Sequence, residues 1–149
     1  VKADTGYRQL WMLQETEKAC PFDITCVFAK DAVTITDLDA DHLAEVTILY
    51  KMACRSDVSP AVMKLVMHEG ETKHSLKGLT WVQSGPDEKF MVTEKDACLE
   101  TLAGYKGPEE DMYKTFGRYE SEKEFSGAPI EFIQHARQQW MLFVKESFE

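Results

Sequence analysis

Apolar and polar residues alternate over most of this chain. Phe22, Ile24, Cys26 and Phe28 alternate with Asp23, Thr25, Val27 and Ala29. Val33 and Ile35 follow, then an acidic turn from Asp37 to Asp41. Val46, Ile48, Tyr50 and Met52 form the next face, opposite Glu45, Thr47, Leu49 and Lys51. Ala61, Met63, Leu65 and Met67 alternate with Val62, Lys64, Val66 and His68, and His68-Glu69-Gly70-Glu71 reads as a hairpin turn. Further on, Leu79 to Val82 and Lys89 to Thr93 read as strands around a turn at Ser84 to Asp87. Cys98 to Tyr105 leads to a turn at Gly107-Pro108, and Asp111 to Tyr119 reads as the last strand. Repeated hairpins without intervening helices predict an antiparallel meander. About eight strands in that pattern predict an up-and-down barrel, which leaves no free edge.

The period then changes. Ile130, Ile133, Ala136 or Arg137, Trp140 and Val144 recur at helical spacing after Ser126-Gly127-Ala128-Pro129, with Pro129 near the first turn. The expected fold class is therefore all-β with one C-terminal helix, an eight-stranded antiparallel barrel. The barrel covers about 10–120 and the helix about 129–145, in one domain over 1–149.

Composition narrows the function. The 149 residues carry 17 Lys and Arg against 26 Asp and Glu, a formal charge of −9. An acidic chain without a Lys/Arg cluster argues against nucleic acid and anionic membrane as partners. No run of about 18 apolar residues is present, so no membrane insertion is expected. The chain opens on Val1, as a processed mature protein would. It contains no Asn and so no N-glycosylation sequon. Four scattered cysteines, Cys20, Cys26, Cys54 and Cys98, lack CxxC or zinc-finger spacing and suggest a secreted protein with one or two disulfides. Four allow three full pairings, and spacing does not choose among them. His42, His68, His74 and His135 fall on different elements without ligand spacing, so neither a metal nor another cofactor is expected.

Three features together resemble the lipocalins. Trp11 in Gln9-Leu10-Trp11-Met12-Leu13 stands where that family has the Trp of its Gly-x-Trp motif, with Gln9 in place of the Gly. Thr93-Glu94-Lys95-Asp96 loosely fills the place of a Thr-Asp-Tyr motif, and Gly117-Arg118 matches the Gly-Arg at the end of the last strand. The resemblance runs from about Leu10 to Val144. The segment from Ala44 to Arg55 looks like tear-type vertebrate lipocalins. Asp23-Ile24-Thr25-Cys26-Val27 and Asp96-Ala97-Cys98 look like salivary lipocalins of blood-feeding arthropods. Both subgroups pair such cysteines with others near the C-terminus. This chain has none after Cys98, which implies an unusual disulfide pattern or a truncated tail.

The resemblance implies a secreted carrier or scavenger that holds one small apolar molecule, of the fatty acid, retinoid or steroid class, inside the barrel. The alternating faces give as candidate lining Leu13, Phe28, Val46, Ile48, Tyr50, Met63, Leu65, Met67, Trp81, Phe90, Val92 and Leu99. A one-residue register error would turn any strand's set outward. Trp11 and Arg118 are expected to close the barrel base by stacking guanidinium on indole. Glu15, Glu100, Tyr50 and Tyr105 could supply polar contacts, which motivates a second reading, sequestration of a biogenic amine, as in tick salivary lipocalins. A third reading is enzymatic. Cys26 lies on the Phe22/Ile24/Phe28 face, and prostaglandin D synthases of the lipocalin type carry a catalytic Cys on a comparable strand. A disulfide or an inert thiol is the plainer expectation for Cys26. A receptor contacted through the acidic loops, Asp37 to Asp41 and Glu109 to Asp111, and a homodimer complete the partners considered.

Overall fold

A computed structural model of the chain describes residues 2–3, 6–83 and 85–146. Ser84, in one expected turn, lies outside them, as does Val1. A two-residue hairpin comes first, β1 (Lys2–Ala3) with β2 (Gly6–Tyr7). The main sheet holds β3 (Asp23–Thr36), β4 (Glu45–Arg55), β5 (Val62–Glu69) and β6 (Thr72–Leu79) in the order β3-β4-β5-β6, every neighbour antiparallel. A single α-helix, α1 (Ile130–Phe143), ends the described chain.

The eight-stranded barrel is therefore incorrect: the sheet has four strands and does not close. The meander ends at Leu79. The expected strand at Lys89 to Thr93 is irregular chain entering a 3-10 turn at Glu94–Asp96. The segment after Cys98 begins with a 3-10 turn, Leu99–Thr101, and most of the expected last strand is another, Met112–Thr115. The physical reason lies in turn chemistry. Gly104, Gly107 and Gly117 take positive φ values of 70°, 109° and 81°, which interrupt extended chain every few residues. Local apolar alternation there marks burial against the sheet, with only isolated bridges, such as those to the edge of β6, and no further strand among the described residues.

The helix falls where its periodicity predicts. Phe132, Ile133, Ala136 and Trp140 are buried along its inner stripe, and Val144 just beyond it is buried too. Ile130 points away, 58% exposed. Against that stripe the sheet presents Leu49, Met63, Leu65, Met67 and Leu76, all fully buried. The pairings Leu49↔Leu65 and Leu65↔Leu76 put this apolar row across three strands.

The other sheet face is only partly covered. Tyr50, Met52 and Val66 are buried there beneath Leu13 and Ile48. Trp11 lies flat on His68, ring centroids 4.2 Å apart. A disulfide, Cys20–Cys54, pins the N-terminal segment to the end of β4. Beyond it, Ile24, Phe28, Val33 and Ile35 of the edge strand β3 are all more than half exposed. A bulge interrupts that strand. Phe28 pairs with Tyr50 and Val33 with Ile48, and Asp31 in between takes φ 61°.

Gly117-Arg118 has a definite structural job, but a different one. Gly78 of β6 lies so close to the crossing segment that a Cβ there would sit 2.0 Å from Arg118 O. Gly117 N donates to Leu79 O, and Leu79 N donates to Arg118 O at 3.1 Å. The segment thus caps the free edge of β6 in place of a fifth strand. Arg118 Nε donates to Asp96 O at 2.7 Å and its Nη1 to Lys114 O at 2.8 Å, tying together three turns of the crossing. The expected Trp11–Arg118 pair is not formed, since Trp11 stacks on His68. The buried indole near Gly117 is Trp140, whose Nε1 donates to Gly117 O at 3.1 Å.

Candidate functional site

The twelve expected lining residues do not share one interior. Val46, Ile48 and Tyr50 pair with His68, Val66 and Lys64, and with Phe28 and Leu13 they belong to the partly open sheet face. Met63, Leu65 and Met67 lie on the opposite face, sealed under α1. Trp81, Phe90 and Val92 surround Gly117, where an added Cβ would meet them at 3.3, 3.0 and 3.3 Å. Only Leu99 borders the largest apolar cleft described next.

That cleft has a volume of about 620 Å³. One wall comes from the sheet, with Val62, Lys77, Gly78 and Leu79. The other comes from the crossing segment, with Leu99, Tyr105, Pro108, Met112 and Thr115. Glu100, Arg118 and Glu120 complete it. The size falls within the range of small-molecule sites, about 300–1,000 Å³, and the mix of apolar walls with a few charged groups is typical of them. The sequence pointed to three of these residues, Leu99 as lining and Glu100 and Tyr105 as polar contacts. Pro108 and Met112 were missed because they lie in turns, where alternation has no meaning.

The charged groups are already partnered. Lys123 Nζ lies 2.6 Å from Glu100 and Lys77 Nζ lies 3.7 Å from Glu120. These pairs are solvent-exposed, so each adds little stability and can open to a ligand. A cation entering the cleft would have to displace Lys123 from Glu100.

Two other networks hold structure. Glu15 Oε1 accepts from Tyr50 Oη at 2.8 Å and from Lys64 Nζ at 2.7 Å. Those two hydrogen bonds, Lys64's first, hold the Glu15 carboxyl below the ordinary range against a smaller cost of burial. Tyr50 is pushed well above the usual phenol value, by burial first and then by Glu15. Below α1, Arg137 grips Glu122 with two bonds, 2.8 and 2.6 Å, while Tyr119 donates to the same carboxylate at 2.6 Å. A buried knot joins Glu146 to Thr80, to the Ala61 amide and to Arg55, closing the sheet's far end.

Of the remaining thiols, Cys98 is buried and Cys26 is exposed on β3, across from Met52. Cys26 borders the open sheet face and not the cleft. Among the described residues no helix is long and apolar enough to cross a membrane.

A scan against protein-family models, a search of curated proteins and a search of solved structures found no match to this chain.

Proposed function

We propose that this protein is an extracellular binding protein for a small, mostly apolar molecule, held in the cleft between β6 and the crossing segment. The observation that supports it is the cleft itself, about 620 Å³ and walled by Val62, Leu79, Leu99, Pro108 and Met112. Burying apolar ligand surface there yields about 25 cal/mol per Å². Tyr105, Thr115 and Arg118 set polar side chains beside the apolar walls. The disulfide supports an oxidising compartment. Fatty acids, retinoids and steroids are mostly apolar molecules of the kind such a cleft would take.

Calorimetric titration with palmitate, retinol and progesterone tests the reading. At least one is expected to bind, and Met112→Arg, at an exposed wall position, to weaken it at least tenfold. No heat with any of the three would overturn it. Histamine and serotonin form the comparison arm. Tight amine binding lost in Glu100→Gln would favour the amine-sequestering reading over the apolar one.

A further inference from the structure

The β3–β4 turn gathers five carboxylates. Asp37, Asp39 and Asp41 alternate along it, Glu45 opens β4 and Glu69 closes β5. Ala40 and His42 take positive φ, 60° and 72°, and Asp39 Oδ1 and Asp41 Oδ1 accept from the Asp41 and Leu43 amides, which tightens the loop. Oxygen atoms of Asp37, Asp39 and Glu45 lie within 4.8 Å of one another, and so do those of Asp39, Asp41 and Glu69. Asp39 belongs to both triads.

A crowd of exposed acids would mean little, but these are not all exposed. Glu45 is fully buried. Its Oε2 accepts from Thr36 Oγ1 at 2.8 Å and from the Leu38 amide at 3.0 Å. Its Oε1 is buried with no hydrogen-bond partner among the described residues, and the same holds for Glu69 Oε1. Glu45 and Glu69 also stand directly opposite each other in the β4–β5 ladder, the least favourable placement for like charges. The basic groups brought to the cluster are imidazoles. His42 Nδ1 lies 3.8 Å from Asp37, His135 acts on Glu45 from α1, and His74 acts on Glu69.

We infer that this turn is a calcium-class divalent cation site built on Asp37, Asp39 and the fully buried Glu45, with Asp39 also within reach of Asp41 and the partly buried Glu69. Hard oxygen donors in a flexible loop suit calcium, which accepts six to eight such ligands in loose geometry. Magnesium demands a tighter octahedron and keeps its waters. Bound there, the ion would give the Glu45 carboxylate, whose Oε1 has no hydrogen-bond partner among the described residues, a counter-charge and would lock the β3–β4 turn to the start of β4. The site lies apart from the cleft and stands whether or not the cleft binds a ligand.

Calcium chloride titrated calorimetrically into the EDTA-treated, desalted full chain tests this. One ion should bind with a dissociation constant of about 10⁻⁴–10⁻³ M, as in extracellular modules. The melting temperature should rise by about 3 °C at ten times that concentration, and less with magnesium. Asp39→Asn should weaken binding at least tenfold. Should that variant misfold by circular dichroism, Asp37→Asn, at an exposed position, must show the loss instead. No heat at about 10 mM calcium, equal shifts with calcium and magnesium, or wild-type binding by a folded variant would each overturn the site.

Discussion

Met63, Leu65 and Met67 are fully sealed beneath α1, whereas Phe28, Val33 and Ile35 on the opposite sheet face are 65%, 54% and 72% exposed. The two faces carry the same kinds of side chain. Their fates differ because only one has a helix to cover it. The other receives a short N-terminal strap, Trp11 to Glu15, which reaches β4 and β5 but leaves β3 bare. Apolar alternation therefore signals that a strand is apolar on one side, and what covers that side is decided elsewhere in the chain.

Core truncation should break this comparison most sharply. Trp140→Ala removes a fully buried indole, its bond to Gly117 and its edge contact with Tyr119. We expect a loss of about 3–5 kcal/mol in urea unfolding. Phe28→Ala on the open face should change stability by less than about 0.5 kcal/mol. Equal losses from both would show that something covers β3.

The strap should come next. Cys20–Cys54 closes a separation of 34 residues. Replacing both by Ala should cost about 3–4 kcal/mol through the entropy of the unfolded chain. A much smaller loss, read by thermal melting, would mean that the strap is not held by the bond.

Within the strap, Glu15 links stability to pH. Its pKa is lower in the folded chain than in the unfolded one, because Lys64 and Tyr50 hydrogen-bond the ionised form. Its contribution is therefore complete above the ordinary carboxylate pKa and is lost as pH falls through the lower folded value. Glu15→Gln should flatten that acid limb, and Tyr50→Phe should cost about 1 kcal/mol at neutral pH. An unchanged limb in Glu15→Gln would remove the pair from the account.

The smallest effect is chemical. Iodoacetamide should label Cys26 in the native protein and reach Cys98 only after unfolding. Labelling of Cys98 at the same rate would show that the helix-covered face opens.

The meander up to Leu79 and the helix from Ile130 were legible because each has a strict period. The face chosen for β5 was the sealed one, and that for β4 was the strap side. Val46, Ile48, Tyr50 and Met52 are more apolar than Glu45, Thr47, Leu49 and Lys51, yet it is Leu49 and Thr47 that lie on the face sealed by α1, because the period of a strand does not say which face the rest of the chain covers. Past residue 80 and before the helix the described chain crosses the sheet largely in 3-10 turns and loops, and its apolar residues mimic strands while pairing only through isolated bridges, such as those at the edge of β6. The sequence shows Asp37 to Asp41 as an acidic turn open to a receptor. What was hidden is the burial of Glu45 and its position opposite Glu69, which depend on register.

The most direct test of the central claim, that an apolar ligand sits beside β6 and not within the sheet's apolar faces, is an amide chemical-shift titration with a ligand that calorimetry finds. The account predicts shifts concentrated at Leu79, Leu99, Tyr105 and Met112. Shifts centred instead on Phe28, Val46, Ile48 and Tyr50 would contradict it.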